Sequence, residues 1–87
     1  MINLKKIAVW LKGYDSYELR QRAIHHKMGL LREEIIPIDE IETWTVHPEM
    51  IFDIVELLLK NGDIRMIYDY RNDLIAILRT NIGSRER

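Results

Sequence analysis

The chain has 87 residues, 47% apolar and 31% charged, which bounds it to one globular domain: too short for two cores and too apolar to stay disordered. It contains no cysteine, so a disulfide framework, a cysteine zinc site and thiol catalysis are excluded, and stability must come from a well-packed core or from a partner. The net charge of −1 hides a segregation: residues 1–32 carry seven cations against Asp15 and Glu18, residues 33–63 carry nine acids against Lys60 alone, and residues 64–87 return to an excess of arginine.

Charge divided in this way suits either a surface for nucleic acid or an acidic partner, or two blocks that pair within one chain or across a dimer. Pairing is the expectation taken here. Lys5 and Lys6 precede only a short apolar run that Lys12 closes, which is not a signal-peptide pattern, and no stretch approaches the length of a membrane span. A cytoplasmic protein with no membrane partner is expected.

In chain order, residues 2–12 alternate Ile7, Val9 and Leu11 as a strand does, although Leu4, Ile7, Ala8 and Leu11 also fit one helical face; a strand is expected. Asp15 with Glu18 three residues later has the spacing of a capping box and predicts a basic helix over about 15–28, stopped by Gly29. Its apolar residues fall in two stripes, Tyr17, Ile24 and Met28 on one and Leu19 with Ala23 on the other. Residues 30–46 are harder to assign: "LLREEIIPI" suits a short strand and "DEIETW" a helical turn. Pro48 and Glu49 suit the first turn of a second helix, over about 48–61, ending at Asn61-Gly62. In that helix Glu49, Asp53, Glu56 and Lys60 form one narrow polar stripe, and nearly everything else is apolar. So wide an apolar arc needs cover from the rest of the domain or from another subunit.

"IRMIYDY" and "LIAILRT", joined near Arg71, Asn72 and Asp73, read as a β-hairpin. Alternation places Ile64, Met66, Tyr68, Tyr70, Ile75 and Ile77 on a core face. Arg65, Ile67, Asp69, Arg71, Ala76, Leu78 and Thr80 then share the other. Residues 83–87 read as a polar C-terminal tail. The expected fold class is therefore α+β: two helices packed on a small antiparallel sheet that includes a C-terminal β-hairpin, in a single domain over residues 1–82.

No constellation for catalysis stands out. His25 and His26 are neighbours, and on a helix their side chains would point 100° apart, a poor arrangement for sharing one ion; His47 would have to approach through folding. No acid lies alone in an apolar setting, Ser16 and Ser84 match no nucleophile motif, and Gly13, Gly29, Gly62 and Gly83 form no phosphate loop. No enzyme activity, catalytic residue, metal or cofactor is expected. The expected function is a small interaction or regulatory domain that self-associates, as a homodimer, or binds a protein partner. Its candidate interface is Ile51, Val55, Leu58, Ile67 and Leu78. The alternative is a nucleic-acid-binding regulator that uses Arg20, Arg22, Lys27 and Arg32. A helix followed by a hairpin is the order of a winged helix, but the helix before this hairpin carries Glu49, Asp53 and Glu56, which phosphate repels.

Overall fold

A computed structural model describes residues 16–28 and 32–87. The expected strand at 2–12, the cap at Asp15 and the stop at Gly29 lie outside the described residues.

The chain builds two antiparallel three-stranded meanders in succession and then a helix. The first sheet is β1 (Ser16–Arg20), β2 (Ala23–Met28) and β3 (Arg32–Pro37); the second is β4 (Ile41–Pro48), β5 (Asp53–Leu59) and β6 (Ile64–Asp69). A 3-10 turn at Ile38–Glu40 links them, and Asp73–Ile82 forms α1, the one α-helix among the described residues. The fold is mostly β. This corrects the α+β expectation of two helices on one sheet: both expected helices are strands, and the second arm of the expected hairpin is the helix.

The reasons are local. Residues 16–28 fold back on themselves at Gln21 and Arg22, which both take the left-handed conformation (φ 53° and 59°) and join Arg20 to Ala23 as a two-residue hairpin loop. Period-two alternation then sends Tyr17, Leu19, Ile24 and His26 inward and Glu18, Arg20, His25 and Lys27 outward. Segment 53–59 is apolar on both sides because it is the central strand of its sheet. Val55 and Leu57 enter the core, while Ile54 and Leu58 take the outer face and are only half-covered. The 4-3-4 spacing of its polar residues is coincidental. Asn61-Gly62, expected to stop a helix, turns a hairpin: Gly62 sits at φ 94°, and Leu59 N–H donates to the Asp63 carbonyl at 2.9 Å.

The core joins both sheets and the helix. Ile24 and Ile36 from the first sheet meet Trp44, Val55, Leu57 and Ile67 from the second, under Leu74, Ile75, Leu78 and Ile82 of α1. The helical spacing of those last four residues is what "LIAILRTNI" encodes. Residues 83–87 are not a loose tail. Arg85 donates to the Ile41 carbonyl, Glu86 pairs with Arg79, and Arg87 N–H donates to the Trp44 carbonyl at 2.8 Å. They cover the outer edge of β4.

Candidate functional site

Tyr17, His26 and Glu34 form one row across the first sheet, because Tyr17 pairs with His26 and His26 with Glu34. Strand β6 lies over this row. The Tyr17 hydroxyl donates to the Tyr68 carbonyl at 2.6 Å, and Arg65 is ion-paired to Glu34. Three residues of strand and two inter-strand spacings each cover about 10 Å, so β6 crosses the strands of the first sheet, as in an orthogonal sandwich. At this corner a cleft of about 290 Å³ opens between β6 and the Met28–Arg32 end of the β2–β3 pair. It is lined by His26, Met28, Arg32, Arg65, Met66 and Tyr68, with Ile67 at its floor.

The backbone of β6 has a defined polarity along this cleft. Leu59 and Asp63 form a hydrogen-bonded pair, and in an antiparallel ladder such pairs alternate. Arg65, Ile67 and Asp69 therefore turn their amides toward β5, whereas Ile64, Met66 and Tyr68 turn theirs outward. The Tyr17 bond to the Tyr68 carbonyl agrees with that assignment. Among the described residues no hydrogen bond satisfies the Met66 N–H or C=O. The side chains follow the same alternation: Ile67 and Asp69 are buried, while Ile64, Met66 and Tyr68 are 59%, 52% and 41% exposed. With Ile54 and Leu58 of β5, and with Phe52 edge-on to Tyr68 at 5.1 Å, they make one apolar stripe on the outer face of the second sheet. The sequence expectation assigned the two faces of this strand the other way round.

The reversal is explained by Asp69. Its carboxylate is buried, and it accepts the Asp73 N–H at 3.1 Å and the Ile75 N–H at 3.0 Å at the start of α1. Asn72 stands in the cap position in a left-handed conformation and makes no side-chain cap bond, so Asp69 supplies it from the end of β6. Burial pushes the Asp69 carboxyl up from its ordinary value, and the backbone donors offset part of that rise.

Of the expected interface residues, Val55, Ile67 and Leu78 are in the chain's own core, whereas Ile51 and Leu58 are half-buried. The expected basic helix is a hairpin, and its cations are not gathered on one helical face. Arg20 reaches Glu18 and Glu33, and Arg22 pairs with Asp39 at 2.7 Å, a bond that holds the Asp39 carboxyl below its usual range. Lys27 and Arg32 are exposed, and neither has an ion-pair partner among the described residues. Alternation along β2 puts His25 and His26 on opposite faces: His25 Nδ1 lies 3.1 Å from Glu33, and His26 stacks on Tyr17 at 4.5 Å. His47 is near Glu56 at 3.5 Å. Among the described residues no group of three histidine or acidic side chains converges on a metal position, and no helix is long and apolar enough to cross a membrane.

Comparison with protein-family models, with curated proteins and with solved structures finds no match.

Proposed function

We propose that this is a small non-enzymatic interaction module that binds a protein partner through β6 and the adjoining outer face of β5. One observation carries the reading: Ile64, Met66 and Tyr68 line up exposed on one side of a single strand. Isolated exposed apolar residues are ordinary, but a contiguous stripe of a few hundred Å² is at the size where surface patches mark interaction sites. Two-fold stacking on a second copy is one way to cover that face. It would press the Glu56 carboxylates of two copies toward each other. A partner is therefore favoured over a second copy. The cytoplasm is the compartment we assign, on the cysteine-free composition.

The test is a peptide-library selection against the wild-type protein, followed by binding to Ile64→Lys and Met66→Lys. Both substitutions are at exposed positions that the core does not use. The reading predicts that selected peptides shift the methyl resonances of Ile54, Leu58 and Ile64 and bind both variants about tenfold more weakly or worse, a loss of 1.4 kcal/mol or more. Peptides that map elsewhere, or that bind the variants as well as the wild type, would contradict it.

A further inference from the structure

We infer that the edge of β6 at Ile64 and Met66, unpaired among the described residues, is a strand-addition site, which takes an extended, acidic and apolar peptide segment into the cleft beside Arg32. The inference rests on the interaction reading above and specifies how the partner is held.

Three observations converge on it. First, the second sheet has two edges that are treated differently. Residues 85–87 cover β4 and occupy the Trp44 carbonyl, whereas β6 keeps the Met66 N–H and C=O without a partner among the described residues. An uncovered edge with its amides aligned is a template for one more strand. Second, that edge faces open space with walls, the cleft of about 290 Å³, rather than bulk solvent. A strand entering there would pair with Ile64 and Met66. Its alternate side chains would extend the outer apolar stripe on one side and enter the cleft, toward Met28 and Arg32, on the other.

Third, charge selects the occupant. Arg65 is already neutralised by Glu34, but Arg32, on the opposite wall, has no carboxylate partner among the described residues. A second copy offers Ile64–Tyr68, whose single charged residue is another Arg65; the acids that flank it are Asp63 in the turn before the strand and Asp69, which is buried at the helix start. Two copies paired edge to edge would set Ile64–Tyr68 against Ile64–Tyr68, a stretch that holds no acid to meet Arg32. A peptide that alternates apolar and acidic residues meets both requirements, with its acid on Arg32 as a charge-assisted bond.

The experiment titrates ¹⁵N-labelled protein with three capped five-residue peptides. One alternates valine and glutamate, the second alternates valine and lysine, and the third is the glutamate peptide N-methylated at its central residue. The glutamate peptide is expected to shift the Met66 amide and protect it from exchange. The other two should bind about tenfold more weakly, the equivalent of 1.4 kcal/mol. Arg32→Glu should reverse the preference between glutamate and lysine. Met66→Pro should abolish binding while keeping the β5–β6 ladder, because the Met66 N–H is not part of that ladder. Equal binding of all three peptides, or an unchanged preference in Arg32→Glu, would overturn the proposal. Shifts confined to the Ile54 and Leu58 methyls, with no protection at Met66, would overturn strand addition and leave the interaction reading standing. Protection of Met66 that rises with protein concentration alone would replace the peptide with a second copy.

Discussion

Asp69 does two jobs that pull its ionisation in opposite directions. Its burial penalises the charged form, while the amides of Asp73 and Ile75 reward it, and burial is the larger effect. The folded-state pKa is therefore above that of the unfolded chain. The stabilisation linked to this group is complete below the unfolded value and is lost as pH rises through the folded one. Asp39 beside Arg22, and Glu86 beside Arg79, have the opposite sign: both are held low, and their contribution fades as pH falls through their folded values. We expect Asp69 to titrate above the ordinary carboxylate range when its side-chain carbon is followed by NMR. Asp69→Ala, which leaves the Ile75 N–H buried without an acceptor, should cost about 2 kcal/mol in denaturant unfolding. A normal titration together with a cost near zero would show that the start of α1 does not depend on this cap.

At the scale of elements, the ends of the second sheet are closed by unequal means. Trp44 is wholly buried, its indole N–H donates to the Ile82 carbonyl at 2.9 Å, and its own carbonyl receives Arg87. Removing residues 83–87 takes away that backbone bond, the Arg85 contact to Ile41 and the Arg79–Glu86 pair. The truncated chain should lose about 1–2 kcal/mol, at roughly 0.5–1.5 kcal/mol for a net hydrogen bond, and should expose the β4 edge. An unchanged unfolding midpoint would show that these residues do not hold that edge.

Part of this could be read in the sequence and part could not. The strand at 64–69, a turn at Arg71 and Asn72 and the apolar character of 50–59 were legible as pattern. Gln21 and Arg22 carry no hairpin signature, because such loops ordinarily use glycine, asparagine or aspartate. The first hairpin thus passed for a helix. Asn61-Gly62 is a strong hairpin signal, but it followed a segment whose polar residues happened to repeat at helical spacing. The faces of β6 were inverted because a buried carboxylate looks, in sequence, like a solvated one; only the helix amides above Asp69 explain its position. The candidate site was less legible still. Which edge of a sheet is left open depends on where residues 85–87 dock.

Across the described residues, two meanders and a helix leave the β6 edge beside a cleft. Sheet edges invite unwanted pairing, and chains commonly blunt them with charge, proline or cover. Here β4 is covered, while β6 has a cleft, the Arg65–Glu34 ion pair and an apolar outer face. An open β6 edge with alternating amides can be read by amide hydrogen exchange on the free protein at several concentrations. It predicts slow exchange for Arg65, Ile67 and Asp69, whose N–H groups face β5, and fast exchange for Met66, independent of concentration. A Met66 amide as protected as that of Ile67 would contradict it.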